Sequence, residues 1–158
     1  MKKANLAGIT ERETKSPQGR YHLYRRSLSE ALGGKTDTGT WGGGHPFDVE
    51  WVRLPPGAMN FPFHAHSAQW EMYVIIDGEG EMRGPDGWFA VGPGDSVIFP
   101  PHTPHQLKNS GTRDLTYYVI ADHHPAEVTH YPDTGRWGIK PQRKYFEMTE
   151  APYYEPGD

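Results

Sequence analysis

Two stretches decide the fold: GAMNFPFHAHSAQWEMYVIIDG at residues 57–78 and GDSVIFPPHTPHQLKN at residues 94–109. Both place short runs of β-branched and aromatic residues between glycines and prolines, which is typical of strands joined by tight turns. The first stretch contains the pair His64 and His66, and the second contains His105.

The strand pattern continues on both sides of the two stretches. Short segments of this kind at regular spacing indicate an all-β sandwich or barrel. We predict strands at residues 21–26, 47–54, 70–76, 79–83, 88–91, 96–99, 103–108 and 115–121. One short helix is expected after Ser27, which forms a capping box with Glu30, and the helix should stop at Gly33-Gly34.

The chain divides into three parts on this pattern. Residues 1–46 are predicted to form an N-terminal extension of strand, short helix and loop, and residues 47–121 the barrel core. Residues 122–158 hold Tyr-Pro and Pro-Tyr pairs without a clear period, and we expect an extended tail packed on the barrel.

Composition excludes several classes of function. The 158 residues carry a formal net charge of -4 and show no basic stripe, so no nucleic-acid partner is expected. No apolar run approaches the length of a membrane span, and no apolar stretch follows the two N-terminal lysines as in a signal peptide. A cytoplasmic location without membrane contact is therefore the expectation. The chain has no cysteine, so any metal must be held by imidazole and carboxylate groups.

The geometry of a strand brings His64 and His66 together. Residues two apart point to the same face, with Cα atoms about 6.6 Å apart, and both nitrogens can approach an ion at about 2.1 Å. Glu71 lies an odd number of residues from His64, so the chain must bend or bulge at residues 67–69 for its side chain to face the same way. His105 comes from another strand, just after Pro100-Pro101.

The two stretches together resemble the two motifs of the cupin superfamily. The first motif is matched by Gly57, the HAH sequence at residues 64–66, Glu71 and Gly78, with a first spacer one residue longer than usual. The second motif is matched in every spacing by glycine, proline, histidine and asparagine at Gly94, Pro100, His105 and Asn109. The resemblance covers about residues 47–121, and it points to the small single-domain bacterial-type cupins of the conserved-barrel "cupin 2" group.

The resemblance implies a cupin double-stranded β-helix, which is a jelly-roll barrel, and a metal site. The implied ligands are His64, His66, Glu71 and His105. His102 stands where the family usually has a turn glycine; it either occupies the turn or faces the substrate, and the turn is the better-supported alternative. Tyr73, Phe99 and Tyr117 are candidates for the pocket wall if strand alternation holds, with barrel packing as the alternative for Tyr73.

A ligand set of three neutral imidazoles and one carboxylate leaves a divalent ion with a net charge of +1. An octahedral ion keeps two open positions, which a small anion or polyol could fill with two oxygens. Manganese, iron, nickel and zinc all suit such a mixed set, and we expect one ion per chain. The sequence does not choose among these metals.

Two classes of function follow from the resemblance. One is a metal-dependent enzyme on a small oxygenated or anionic metabolite, with dioxygenase or decarboxylase chemistry first and sugar-phosphate isomerisation second. The residues Glu71-Met72-Tyr73 and 78–82 are similar to the metal motif of the cupin-type phosphoglucose isomerases. Many unrelated cupins have nearly the same sequence there. The other class is a non-catalytic binder in which the metal docks a ligand or stiffens the barrel.

A homodimer is also expected, because small cupins commonly form dimers. The predicted strand at residues 21–26 could pair with the sheet of a partner, since an unpaired edge favours pairing.

Overall fold

Thirteen short strands form most of the regular structure in the computed structural model, which describes residues 1–154. They are β1 (Arg12–Lys15), β2 (His22–Ser27), β3 (Asp48–Leu54), β4 (Ala65–His66), β5 (Glu71–Asp77), β6 (Gly80–Gly84), β7 (Gly87–Val91), β8 (Ser96–Phe99), β9 (Gln106–Asn109), β10 (Leu115–Ala121), β11 (Glu127–Tyr131), β12 (Arg136–Lys140) and β13 (Lys144–Glu147). Helix α1 (Leu28–Ala31) and two 3-10 turns complete the regular structure. Within the described residues, every helix is too short to cross a lipid bilayer.

The N-terminal extension follows the prediction with one addition. The expected strand at residues 21–26 is β2, and Ser27 caps α1 by accepting a hydrogen bond from the Glu30 N–H at 3.1 Å. The addition is β1, which pairs with β2 on one side while β3 pairs on the other. The reason given for a dimer, a free edge on this strand, is therefore wrong, because both edges of β2 are already hydrogen-bonded within the chain.

One face of the barrel is a six-stranded antiparallel sheet in the order β1-β2-β3-β10-β5-β8. Its inner face changes in character along the strands. At one end, Val52, Tyr117 and Ile75 are aligned across β3, β10 and β5 and belong to the apolar core. At the other end, Asp48, Ala121 and Glu71 are aligned in the same way. The sheet thus supplies a packed core at one end and acidic side chains at the other.

The opposite face consists of two smaller sheets. A three-stranded sheet, β7-β6-β9, contributes Met82, Val91 and Leu107 to the same core as the large sheet. A four-stranded sheet, β13-β12-β11-β4, covers the acidic end. This two-layered antiparallel arrangement with little helix is the predicted all-β cupin barrel.

The C-terminal tail has more regular secondary structure than the extended tail that was predicted from the sequence. Its described part forms β11, β12 and β13, and β11 pairs with β4 through Thr129 opposite His66 and His130 opposite Ala65. The pairing fixes the tail against the strand that carries His66. Residues 155–158 of the predicted tail lie outside the described residues.

Candidate metal centre

The four side chains predicted as ligands meet at one place between the two layers. His66 lies on β4, and Glu71 is the first residue of β5. His64 and His105 face each other across an isolated bridge, with backbone hydrogen bonds of 3.2 and 2.8 Å. Each of the four offers an imidazole nitrogen or a carboxylate oxygen, and these atoms all lie within 4.8 Å of one another.

The bend needed between His66 and Glu71 is present at Ser67 and Ala68. The carboxylate of Glu127 on β11 stabilises it, accepting hydrogen bonds from the Ser67 N–H at 2.7 Å and the Ala68 N–H at 3.0 Å. Sequence reasoning missed Glu127. No local signal could have found it, because it lies 60 positions along the chain from Ser67.

Two of the histidine rings are held by backbone carbonyls. His64 Nδ1 lies 2.8 Å from the Pro62 carbonyl oxygen, and His105 Nδ1 lies 3.0 Å from the Thr103 carbonyl oxygen. A carbonyl oxygen only accepts, so each Nδ1 carries the proton and donates. In a neutral ring, Nε2 is then left with its lone pair for the centre. His105 is further fixed by Phe99, which stacks on it with ring centroids 4.0 Å apart.

His66 is placed between two carboxylates. Its Nδ1 lies 3.3 Å from Glu127 Oε1, and its Nε2 lies 3.5 Å from Glu71 Oε1. These are ion-pair distances, but neither contact meets the geometry of a hydrogen bond, so both buried ring nitrogens lack a hydrogen-bond partner. A buried imidazole in this state has an unmet requirement for a proton or a cation.

The charges of the cluster are strongly coupled. Burial raises the pKa of Glu71, but His105 Nε2 at 3.1 Å and His66 more than offset it and hold that pKa well below the usual value. Burial, followed by repulsion from His105 and His66, lowers the pKa of His64 to about 3. Burial also acts to lower the pKa of His66, but Glu127 and Glu71 outweigh it and raise that pKa. At neutral pH, Glu71 is therefore ionised, and His64 is a neutral imidazole that can offer a lone pair to a metal ion.

These observations fit a divalent metal ion. In neutral rings with Nδ1 protonated, the Nε2 lone pairs of His64 and His105 would face the Glu71 carboxylate, and such groups repel one another unless a cation, either a proton or a metal ion, lies between them. The His66 Nε2 is buried without a hydrogen-bond partner beside the same carboxylate. Imidazole nitrogens with one carboxylate are the donor set of manganese, iron, nickel and zinc sites.

The other predicted site residues separate into two groups. Tyr73 and Tyr117 line the cavity beside the centre, and the Tyr73 hydroxyl donates to Glu71 Oε2 at 3.3 Å. Burial is the main cause that raises the pKa of both hydroxyls, so both remain protonated. Phe99, the third residue predicted for the pocket wall, is not among the described residues that line the cavity and instead stacks on His105. His102 is exposed in the turn at φ 66°, and among the described residues it is not part of the cavity lining.

A cavity of about 630 Å³ adjoins the centre, between the six-stranded and four-stranded sheets. His64, His66 and Glu71 line one end of it. The other end holds Asp48 and Glu50 on β3, which sequence reasoning did not single out. Asp48 is two strands away from Glu71 in register, which places their Cα atoms about 10 Å apart.

Asp48, at the far end of the cavity, takes part in a second polar group with Asp37 and His123. Asp48 Oδ2 accepts a hydrogen bond from the Asp37 N–H at 2.8 Å and lies 2.9 Å from His123 Nε2. Asp37 is also paired with Arg143. The His123 side chain is buried. Each of the two carboxylates thus has a nitrogen-bearing side chain of the same protein beside it.

The cavity also contains an unusual buried carboxyl. Glu50 faces it beside Arg25, with Arg25 NH1 3.4 Å from Glu50 Oε2. Burial raises the pKa of Glu50, and the attraction of Arg25 only partly opposes this. Glu50 is therefore the cavity carboxyl that is most easily protonated.

A chain of side chains links Glu71 to the four-stranded sheet. Lys140 Nζ on β12 donates to Gln69 Oε1 at 3.2 Å, and Gln69 Nε2 donates to Glu71 Oε1 at 3.4 Å. The tail therefore reaches the Glu71 carboxylate through Gln69 and approaches His66 through Glu127.

The family model for the cupin domain matches residues 50–121. An uncharacterized protein of Methanocaldococcus jannaschii is 40% identical over 62 residues, which are 39% of this chain and 49% of that protein. The chain therefore matches about half the length of this relative.

Solved structures match over more of the chain. A sugar phosphate isomerase of the cupin superfamily from Silicibacter pomeroyi superposes with a TM-score of 0.75 and 25% identity, covering 92% of this chain and 90% of that one. A predicted oxalate decarboxylase from Thermotoga maritima superposes with a TM-score of 0.61 and 20% identity, covering 76% of this chain and 97% of that one.

Proposed function

The chain contains a cupin domain, and from this we propose that the protein is a metal-dependent enzyme that isomerises a small sugar phosphate or a similar hydroxylated anion. The observation that carries the proposal is the pairing of two features in one cavity. The group of four possible ligands adjoins one end, with three of them in the lining, and a largely buried carboxyl with a raised pKa, Glu50, lies on the wall.

His64, His66, Glu71 and His105 would hold one divalent ion per chain, of manganese, iron, nickel or zinc. When bound, the ion would supply a Lewis acid that polarises oxygen atoms of the ligand. Three imidazoles and one carboxylate leave it with a net positive charge, which favours an anionic or oxygen-rich ligand.

Aldose–ketose isomerisation moves one proton between adjacent carbons and one between their oxygens. A single group that accepts the proton from one carbon and returns it to the next is sufficient, provided that its pKa lies near the working pH. Glu50 is the candidate for this group in our proposal, because burial raises its pKa in the direction that the reaction requires. Arg25 beside it would attract the anionic part of the substrate.

The comparisons support this reaction over the others. The Silicibacter pomeroyi protein that bears the name sugar phosphate isomerase matches nine-tenths of both chains. This name supports the choice of isomerisation as our first candidate, whereas the sequence alone favoured dioxygenase or decarboxylase chemistry.

The test is a panel of aldose and ketose phosphates incubated with metal-loaded protein in D₂O. We expect ketose–aldose conversion with deuterium incorporated at the carbon next to the carbonyl. Glu50→Gln should bind metal normally and lose at least a hundredfold in rate. Glu79→Gln removes an exposed carboxylate and is the matched control. Turnover by Glu50→Gln at the wild-type rate would remove Glu50 from the mechanism.

A second candidate is decarboxylation or oxygen-dependent cleavage of a keto acid. It is supported by the name of the Thermotoga maritima protein and by the two open positions that a four-ligand octahedral set leaves. Oxygen uptake on an electrode and CO₂ release with oxalate or pyruvate separate it from isomerisation, which produces neither.

A non-catalytic binder is the remaining alternative. Calorimetry with oxalate, pyruvate and a sugar phosphate would show metal-dependent binding, lost in His66→Ala, without turnover in any assay above. Equal binding to metal-loaded and metal-free protein would show that the ion does not dock the ligand.

A further inference from the structure

The C-terminal strand β11 lies directly against the segment that joins two of the proposed ligands. The Ser67 N–H donates to the Val128 carbonyl at 2.9 Å, and the Val128 N–H donates to Ser67 Oγ at 3.0 Å. Together with the ladder between β11 and β4, these bonds fix the backbone between His66 and Glu71. Strand β11, which makes these bonds, lies outside the cupin domain at residues 50–121.

Glu127 is the polar residue at the centre of this contact. It is 3% exposed, and both of its oxygens are engaged: Oε1 with the Ser67 N–H and Oε2 with the Ala68 N–H. Oε1 also lies 3.3 Å from His66 Nδ1, on the side of the ring opposite to the Nε2 that faces Glu71. A buried carboxylate is costly unless several donors surround it, so this position is closely constrained.

We propose that Glu127 is a positioning residue of the metal centre: its carboxylate turns the His66 ring so that Nε2 faces the ion. The inference rests on the proposed metal site. Backbone carbonyls perform the same task for His64 and His105, through Pro62 and Thr103. For His66 the tail supplies the partner. Partners of this kind fix the tautomer and orientation of a metal-ligating histidine, and their loss typically costs about 10- to 100-fold in metal affinity.

The experiment measures metal affinity in the full-length protein by competition with a chelating dye, and records the visible spectrum of the cobalt(II) form. We expect Glu127→Gln to bind Co²⁺ and Zn²⁺ about 10- to 100-fold more weakly than wild type, with an altered cobalt spectrum. Glu147→Gln is the matched control, because Glu147 is a carboxylate of the same tail with an 80% exposed side chain. It should bind as wild type does.

A purely structural role for Glu127 is distinguished by a double-mutant cycle. If Glu127 acts through His66, the replacement Glu127→Gln should have little further effect in a His66→Ala background. The same loss in both backgrounds would overturn the proposal, and so would wild-type affinity with an unchanged spectrum in the single variant. If Glu127→Gln loses the native circular dichroism spectrum, metal affinity and the cobalt spectrum are measured in Glu127→Asp instead, because its shorter side chain keeps the charge. Undiminished affinity in Glu127→Asp together with a wild-type spectrum would contradict the proposal.

Failure of the metal site itself gives a different result. Wild-type protein that binds neither ion would refute the metal centre on which the proposed function stands. Wild-type protein that binds normally, with no effect of Glu127→Gln, would refute only the positioning role.

Discussion

At the scale of single residues, the orientation of the three histidine rings defines the centre. In each ring, one nitrogen faces away from the centre, toward an oxygen atom that can accept a hydrogen bond. Pro62 and Thr103 accept from Nδ1 of His64 and His105, while Glu127 lies beside Nδ1 of His66. The three rings thus present the same nitrogen to the centre. The residue types and spacings of the motif could be recognised from the sequence, but the acceptors could not, because two are backbone atoms and the third is remote.

We predict one divalent ion per chain, and its loss when a proposed ligand is removed. His64→Ala and His105→Ala should each show strongly reduced metal by elemental analysis of protein purified without chelator. His102→Gly is the control, because His102 sits in a left-handed turn that glycine adopts without the cost of roughly 1–2 kcal/mol to other residues. It should keep full metal content and lose no thermal stability. Full occupancy in both alanine variants would contradict the ligand assignment.

Metal affinity should fall as the pH falls. The pKa of His66 is raised above its usual value of about 6.5, so in the metal-free protein this ring carries a proton that the ion must displace. Below that raised pKa, affinity should drop about tenfold per pH unit for one displaced proton, and above it the dependence should flatten. Competition titrations between pH 5 and pH 8 measure this. A flat affinity from roughly pH 7 to pH 5 would argue against imidazole ligation.

At the scale of elements, the strands with strong turn signals were predicted within one or two residues. Strands β8 and β10 have the predicted ends, and β5 is displaced by one residue before Gly78. Strand β9 begins at Gln106 rather than at 103, because Thr103 belongs to the turn in which its N–H donates to the Pro100 carbonyl.

The tail shows why the remaining elements could not be predicted. Strand β13 is exposed at every position, so it has no alternation of apolar and polar residues to detect. Strand β4 has only two residues, and its partner β11 is identified by a pairing about sixty residues away. Such elements are defined by their neighbours in space, whereas sequence patterns report local periodicity.

Asn109, the last residue of the second motif, should prove structural. It is fully buried, and its Nδ2 donates to the carbonyls of Leu54 and Arg113, both at 2.8 Å, while its Oδ1 accepts from the Gly111 N–H. These bonds connect the end of β9 to β3 and to the turn before β10. Asn109→Ala removes these three hydrogen bonds and takes the Asn109 donor from the buried Leu54 carbonyl, so we expect the free energy of unfolding to fall by about 2–4 kcal/mol.

Urea denaturation monitored by tryptophan fluorescence tests this expectation for Asn109→Ala. The control is Ser110→Ala, because Ser110 is exposed and its replacement should change the free energy by no more than about 0.5 kcal/mol. Metal content should be unchanged in both variants. A loss below about 1 kcal/mol in Asn109→Ala would show that water replaces the three bonds without cost.

At the scale of the whole molecule, one outer surface is apolar. Ile98, Met72 and Ile120 are aligned across β8, β5 and β10 on the side of the large sheet that faces away from the core. Phe47 and Trp70 border this row, and together the five side chains line a shallow groove. Phe47, Trp70 and Ile98 are 54%, 47% and 57% exposed. Apolar groups gathered in this way on a monomer surface indicate an interaction site.

We propose that a second copy of the chain covers this surface, in place of the pairing at β2 that the fold excludes. The row ends at β8, which is an edge of the six-stranded sheet, so a two-fold arrangement can bury both the row and the edge. Light scattering at micromolar concentration should give about twice the chain mass of 17.9 kDa.

Ile98→Glu places a charge in this row at the β8 edge and should convert the dimer to a monomer, because burying an unpaired carboxylate opposes association. Trp88→Glu is the matched control, since Trp88 is similarly exposed at 43% but lies on β7 of the three-stranded sheet. It should remain dimeric. A wild-type monomer would refute the dimer, and an unchanged dimer in Ile98→Glu would place the interface on a different surface.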